Sequence, residues 1–288
     1  MIQCFLAKIK TLDHIVLEGI AVLPKQKSDT ALFWIHGLSS RFSSGQTLIQ
    51  ELSDACRKNG IGYFKFNTRG HDIASGGGEN IIGAGFETFE DCIVDIRAMI
   101  RFAKSLGYKK IILAGHSTGA NKALYYCHKT RDRAVKKLIL LGPISDIAGE
   151  IKMRGTGGLK KALKIAEKLA KKNPQALMPP EYGIINTARY LSLYRPGSAE
   201  DVFPYHSYEA TPRKNWKELK SIRIPLAVVI GARDEYLDRP AKKLIEIFKS
   251  QASSTSAFHG IIIQGANHGF KKKEQELARE MVGLITEL

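Results

Sequence analysis

Short apolar runs alternate with stretches of helical periodicity along most of the chain. Residues 31–35 (ALFWI), 62–67 (GYFKFN), 110–114 (KIILA), 137–141 (KLILL), 226–230 (LAVVI) and 260–264 (GIIIQ) are rich in apolar residues and bounded by Gly, Asn or Pro. Runs of about five residues, apolar throughout rather than alternating, predict strands buried on both faces. Residues 11–22 predict an antiparallel hairpin ahead of them. Between the strands, residues 46–58 carry Leu48, Ile49, Leu52, Ala55 and Cys56 at helical spacing, and residues 89–106, 120–129 and 271–288 behave likewise. Strands alternating with helices predict βαβ units and a parallel sheet covered on both faces.

The alternation breaks after Pro143. About 70 residues pass before the next core strand, and a connection that long needs structure or a task of its own. It holds six of the ten prolines: Pro174, Pro179, Pro180, Pro196, Pro204 and Pro212. We therefore expect a core formed by residues 1–144 and 221–288, with residues 145–220 inserted as a cap over one end of the sheet. Within the insertion, residues 159–172 predict an amphipathic helix. At about 100° per residue Lys160, Lys161, Lys164, Lys168, Lys171 and Lys172 share one face. Leu159, Ala162, Leu163, Ile165, Ala166, Leu169 and Ala170 fill the other. Gly157-Gly158 precede this helix and Asn173-Pro174 end it. The basic face reads as a solvated surface or as a lid meeting anionic substrates or an interface.

Composition narrows the class. With 288 residues, 44% hydrophobic and 25% charged, the chain is too long for a disulfide-stapled mini-domain. It is also too apolar for a disordered tail protein, and lacks the signatures of collagen or a coiled coil. No apolar run approaches the roughly 20 residues of a membrane-spanning helix. The first ten residues, MIQCFLAKIK, lack the basic n-region and small-residue cleavage site of a signal peptide, so a cytoplasmic location is the expectation. Cys4, Cys56, Cys92 and Cys127 form no CxxC pair and predict isolated buried thiols. Net charge is +16, from 44 Lys and Arg against 28 Asp and Glu. Residues 151–220 hold 14 of the basic and 6 of the acidic residues, so the bias is local to the insertion. A positive field favours acidic partners and is silent on fold.

The chemistry concentrates at residues 111–120, IILAGHSTGA. A strand runs into Gly115-His116-Ser117-Thr118-Gly119 and a helix begins at once, which is G-x-S-x-G in strand–turn–helix context. A serine exposed on so sharp a turn leaves no room for side chains two residues either side, hence Gly115 and Gly119. The following backbone N–H, that of Thr118, lies at the positive end of the helix. A serine hydroxyl needs a base. Of the eight histidines, His268 in IIIQGANHGF is placed best, on a loop after the last strand. His36 and His116 flank other loops and are expected to shape turns; His71, His206 and His259 stay open. The imidazole needs an orienting carboxylate. Asp234, in LAVVIGARD, follows the preceding strand, with Glu235 and Asp238 as local rivals. The order Ser117, Asp234, His268 is that of a nucleophile–acid–base set. A second oxyanion donor is expected after the first parallel strand, where Gly37 lets the backbone approach and Leu38 supplies its N–H.

Taken together, these residues resemble the α/β-hydrolase superfamily over most of the chain. His36-Gly37 resembles its oxyanion-loop dipeptide and Asn67-Thr68-Arg69-Gly70-His71 its Arg-Gly loop. GHSTG resembles the nucleophile elbow, GARDEYLD the acid loop and GANHGF the histidine loop. The resemblance implies an α/β fold with an eight-stranded, mostly parallel sheet, helices on both faces and a helical cap inserted after strand six. Within the superfamily the chain is most similar to small esterases of the carboxylesterase, feruloyl-esterase and siderophore-esterase kind. A serine nucleophile disfavours the dehalogenase and dienelactone-hydrolase branches, which use Asp and Cys, and no HGGG stretch is present.

No metal-ligand spacing, Walker A loop or dinucleotide-binding G-x-G-x-x-G occurs, so no metal or cofactor is expected. Gly76-Gly77-Gly78 reads as a flexible rim of the site. The leading expectation is hydrolysis of a small or medium carboxylic ester through an acyl-enzyme. The aromatics Tyr190, Tyr194, Phe203, Tyr205 and Tyr208 would shape the pocket, and the basic insertion suggests tolerance of anionic substrates. Two alternatives are an interfacial lipase or lysophospholipase using the basic lid, and a non-catalytic basic binding protein. No motif of a specific nucleic-acid binder is present.

Overall fold

The alternating pattern folds as its periodicity requires. The structure is a computed structural model, and it describes residues 2–26, 28–77, 80–207 and 216–287. Among these, eight strands form one sheet in the order β1-β2-β4-β3-β7-β8-β9-β10. They are β1 (Phe5–Lys10), β2 (Val16–Val22), β3 (Thr30–Ile35), β4 (Gly62–Phe66), β7 (Lys110–His116), β8 (Val135–Leu141), β9 (Leu226–Gly231) and β10 (Phe258–Ile263). The pairs β1/β2 and β2/β4 are antiparallel; all the others are parallel. A separate hairpin joins β5 (Ser75–Gly77) to β6 (Asn80–Ile82). The glycine stretch expected as a flexible rim thus supplies one strand of it, as far as Gly77; Gly78 lies outside the described residues.

The central strands are largely apolar because both faces are covered. Ala31, Phe33 and Ile35 join one core cluster while Leu32 and Trp34 join the other, and Leu138/Leu140 against Ile139/Leu141 divide the same way. Helices α2 (Cys92–Ser105), α3 (Thr118–Thr130) and α7 (Ala241–Gln251) cover the first face, through residues such as Met99, Leu124 and Phe248. Helices α1 (Gln46–Lys58) and α8 (Glu274–Thr286) cover the second through Leu52, Cys56, Leu277 and Met281.

Three boundaries differ from expectation. The antiparallel hairpin spans β1 and β2 rather than residues 11–22, because Thr11 builds the turn. Its Oγ1 donates to Asp13 Oδ1 at 2.6 Å and accepts from Ile15 N at 2.9 Å, and His14 sits at φ 69°. The basic helix begins a few residues before Leu159, beyond a break that joins it to an earlier helical segment. Helix α4 spans Asp146–Ala170, with the Ser145 side chain accepting from Ala148 N as its N-cap. It breaks at Gly155 (φ 71°, ψ 164°) and absorbs Gly157-Gly158. Helix α7 was unforeseen. Of the cysteines, all free, Cys56, Cys92 and Cys127 are buried, whereas Cys4 is exposed.

The 146–207 stretch follows the sixth strand of the sheet. Its helices α4 and α5 (Thr187–Tyr194) pack on each other around Ala162, Ala166, Met178, Ile185, Tyr190 and Leu193. The apolar face of α4 turns inward, and Lys160, Lys161, Lys164 and Lys168, with Lys171 and Lys172 just beyond the helix, point outward into solvent, as the helical spacing predicts.

Candidate active site

Strand order fixes where a site forms. From β3 the chain crosses one face through α1 to β4, then returns over the other face through α2 to β7 on the opposite flank of β3. The crevice beyond the carboxyl ends of β3 and β7 is therefore a topological switch point, where open α/β sheets bind ligands. The loop Gly37–Ser40 and the turn at Ser117 meet there.

Ser117 joins β7 to α3 at φ 57° and ψ −129°, a conformation that costs energy for any residue with a side chain. Its N–H donates to Leu141 O at 2.9 Å. A Cβ on Gly115 would lie 2.2 Å from Gly119 O, and one on Gly119 would lie 2.3 Å from Ile35 O, so both glycines are required by backbone crowding. Gly37 packs directly on the serine: a Cβ there would lie 2.8 Å from Ser117 Cβ and 3.3 Å from its Oγ. Ser40 N donates to Gly37 O at 3.2 Å, which holds Leu38 in a tight turn. Leu38, Ser117 and Thr118 all line one cavity of about 600 Å³. Thr118 opens α3, so its N–H lies in the first turn, where intrahelical partners are missing.

His268 lines the same cavity. Its Nδ1 lies 2.7 Å from Asp234 Oδ2, and the Asp234 carboxylate, whose side chain is fully buried, accepts a hydrogen bond there. That hydrogen bond leaves Nε2 as the acceptor nitrogen. Among the described residues Nε2 is buried without a hydrogen-bond partner. The rivals to Asp234 have other partners. The Glu235 Oε2 accepts from His268 N at 2.9 Å, so it holds the loop rather than the ring, and Asp238 pairs with Arg239 at 2.8 Å. Asp234 Oδ1 accepts from Tyr236 N at 3.0 Å, which fixes the carboxylate plane.

His36 and His116 act as struts, as expected. Thr68 N donates to His36 Nε2 at 2.9 Å, so its Nδ1 carries the proton and donates to Gly37 O at 2.9 Å. Burial, followed by the Lys122 charge, lowers its pKa to about 3. His116 Nε2 donates to His268 O at 2.8 Å, and burial, then His268, lowers its pKa to about 4. Both rings are neutral near pH 7. The other open histidines lie off the site: His71 faces Asp72 and His259 faces Glu287. The His206 side chain is outside the described residues.

A buried polar chain, unforeseen from the sequence, supports the Gly37 loop. Lys122 Nζ, on α3, donates to Thr68 Oγ1 at 3.2 Å and to Glu87 Oε2 at 2.7 Å. Glu87 Oε1 accepts from Arg189 Nη2 at 3.0 Å, and Arg189 forks onto Glu200 as well. The Lys122, Glu87, Arg189 and Glu200 side chains are all at most 1% exposed. The chain thus runs from α5 to His36 and its loop. In sequence these residues read as ordinary surface charges.

The cavity wall also differs from expectation. Of the proposed aromatics only Tyr194 lines it, joined by Tyr236. Phe203 lies in the core; Tyr205 Oη accepts from Ser145 N at 2.7 Å, and Tyr190 Oη donates to Glu150 at 2.8 Å. Tyr208 lies outside the described residues. Asp146, Glu150 and Lys152 of α4 are lining residues that the pattern did not single out; none of the six basic-face lysines lines the cavity. Among the described residues no group of three or more His, Cys, Asp and Glu is placed to hold a metal. No helix there is long and apolar enough to cross a membrane. A second cavity of about 410 Å³, at the amino ends of β8 and β9, is lined by Cys127, Val135 and Ile222. Burial raises the Cys127 thiol pKa to about 12, and this cavity lacks the serine, histidine and carboxylate set.

Comparison with known proteins agrees on the fold. No curated protein matches the sequence. Solved structures match over nearly the whole chain. The esterase Pf2001 of Pyrococcus furiosus is 18% identical, with 99% of this chain and 91% of that one covered and a TM-score of 0.63. Est1E of Butyrivibrio proteoclasticus, solved with ferulic acid bound, is 18% identical, with 98% of each chain covered and a TM-score of 0.64. The siderophore hydrolase EstB of Aspergillus fumigatus is 15% identical, with 98% of each chain covered and a TM-score of 0.71. Residues 14–287 match the family described as protein of unknown function, DUF1749. The chain belongs to that family, and its fold is the α/β-hydrolase fold.

Proposed function

We propose that the protein is a serine hydrolase that cleaves carboxylic esters of small or medium size through an acyl-enzyme. The observation that carries this reading is His268. Its Nδ1 is locked onto buried Asp234, while its unpartnered Nε2 is buried on the wall of the cavity that Ser117 also lines. In this reading Nε2 takes the Ser117 proton as Oγ attacks the ester carbonyl. His268 then protonates the leaving alcohol, and a water attacks the acyl-enzyme by the same route in reverse. Asp234 holds the ring in the competent tautomer and stabilises the imidazolium. The N–H groups of Leu38 and Thr118 take the developing oxyanion, with His36 and Gly37 holding the Leu38 turn.

The fold neighbours support an ester substrate, since Pf2001 is an esterase, EstB is a siderophore hydrolase and Est1E is solved with ferulic acid bound. We further propose that residues 1–144 and 221–288 are the catalytic core and that residues 145–220 cap it. Asp146, Gly149, Glu150, Lys152, Met153 and Tyr194 supply one side of the cavity. An interfacial lipase is the second reading, favoured by exposed Met153, Leu177 and Ile184 on the segment that carries the basic face.

The test is hydrolysis of short and long p-nitrophenyl esters by the wild type and by Ser117→Ala. We expect turnover that falls at least about 10³-fold in the variant. Activity that jumps on vesicles would favour the lipase. A folded wild type with no turnover of any ester would overturn both.

A further inference from the structure

We propose that the ester taken by this cavity carries a positive charge, as an amine or quaternary ammonium group, held by the carboxylates of Asp146 and Glu150 and the rings of Tyr194 and Tyr236. The proposal rests on the hydrolytic reading of Ser117, His268 and Asp234. It runs against the chain's net charge of +16, because that charge points elsewhere. Lys160, Lys161, Lys164, Lys168, Lys171 and Lys172 are all solvent-exposed, and none lines the cavity.

The wall itself is acidic and aromatic. Asp146 and Glu150 stand one turn apart on α4, so their side chains share a face, and both line the cavity together with Glu235. Glu150 takes Tyr190 Oη and Arg154 Nε on the same oxygen, Oε1. Asp146 takes a backbone hydrogen bond within its own residue and a long one from Asn121, at 3.4 Å, and no ion pair among the described residues. The nearby guanidinium of Arg189 is already forked onto Glu200 and Glu87. Burial, reinforced by the Glu200 charge, pushes the Asp146 pKa up to about 8, a shift that a cation beside this carboxyl would offset.

Among the described lining residues Lys152 is the one permanent cation. Its ammonium is engaged by two carbonyls, Glu235 O at 2.7 Å and Leu237 O at 3.2 Å. Tyr194 and Tyr236 complete the chemistry, since aromatic faces attract ammonium groups. One buried polar atom of a lining residue that the hydrolytic reading does not use, Thr118 Oγ1, has no partner among the described residues. It marks the cavity as a place built for a polar ligand.

The test uses isosteric ester pairs that differ only in charge. Butyrylcholine against 3,3-dimethylbutyl butyrate places the charge on the alcohol. Methyl 4-(trimethylammonio)butyrate against methyl 5,5-dimethylhexanoate places it on the acyl chain. For at least one pair we expect kcat/KM to favour the cation by about tenfold or more. Asp146→Asn brings that ratio towards one, and Lys164→Ala/Lys168→Ala leaves it unchanged. A ratio taken within one preparation is insensitive to partial misfolding. A cationic preference below twofold in both pairs, or one that persists in Asp146→Asn, overturns the proposal. If neutral esters turn over in the wild type and not in Ser117→Ala, the hydrolytic reading survives that failure. If no ester turns over, calorimetric titration of Ser117→Ala protein with the same pairs decides. Tighter binding of a cationic member supports the cation site, and equal or absent binding overturns it.

Discussion

Replacing Asp234 by Asn tests the site at its most constrained hydrogen bond. The two carboxylate oxygens have different tasks: Oδ1 accepts from Tyr236 N at 3.0 Å and Oδ2 faces His268 Nδ1 at 2.7 Å. An asparagine that keeps its carbonyl on the Tyr236 N–H must aim its NH₂ at Nδ1. That NH₂ donates, so the neutral imidazole is forced to carry its proton on Nε2 and can no longer accept from Ser117. The opposite orientation sets an NH₂ against the Tyr236 N–H, two donors face to face. Either way the competent tautomer is disfavoured, while side-chain volume is unchanged. Loss of that tautomer costs about 10³–10⁴ in kcat, or about 4–5 kcal/mol of transition-state stabilisation. The assay is kcat and KM for a short p-nitrophenyl ester, with a thermal melt to confirm folding. Asp238→Asn is the control, because Asp238 pairs with Arg239; it should stay within about threefold of wild type. A folded Asp234→Asn protein that keeps a tenth of the activity, or an Asp238→Asn protein that loses as much, would refute the assignment.

Gly37→Ala puts a methyl 2.8 Å from Ser117 Cβ. Activity should fall at least about 10²-fold through displacement of the oxyanion loop, with the protein still folded by circular dichroism. Arg189→Met strands the buried carboxylate of Glu200 and leaves Glu87 with Lys122 alone, and should cost about 3–5 kcal/mol in denaturant unfolding. Lys8→Ala, which breaks an exposed pair with Glu18, should cost under about 1 kcal/mol. Asp146 is an acid whose folded pKa is raised, to about 8. The native state therefore binds more protons than the unfolded chain between the ordinary carboxylate range and pH 8, and this group lowers stability as pH rises through that window. Asp146→Asn removes the slope, so its Tm advantage over wild type should widen from pH 5 to pH 9; a constant difference would contradict the shift.

The sheet and its helices were legible because burial on both faces imposes an unbroken apolar run, and few other structures tolerate one. Ser117 was legible because the crowding that demands Gly115 and Gly119 leaves a signature within five residues. Asp234 and His268 were expected from chain order alone, and the structure sets His268 Nδ1 on Asp234 and not on Glu235 or Asp238. What escaped is set by contacts distant in sequence. Lys122, Glu87, Arg189 and Glu200 have the composition of a surface, yet neutralise one another in the interior. The helical segment from Asp146 was hidden because Gly157-Gly158 read as a boundary, whereas the break lies at Gly155. The cavity wall was misjudged for a related reason. A count of charges along the insertion does not say which face they occupy: Lys160, Lys161, Lys164 and Lys168 of α4 face solvent, while Asp146, Glu150 and Lys152 line the cavity.

Covalent labelling by a fluorophosphonate probe tests the central claim most directly, because it requires an activated serine and no knowledge of the substrate. One adduct per chain is predicted, located to Ser117 by peptide mass, absent in Ser117→Ala and strongly slowed in His268→Ala. A folded protein that takes no label, or takes it on another residue, would contradict the account.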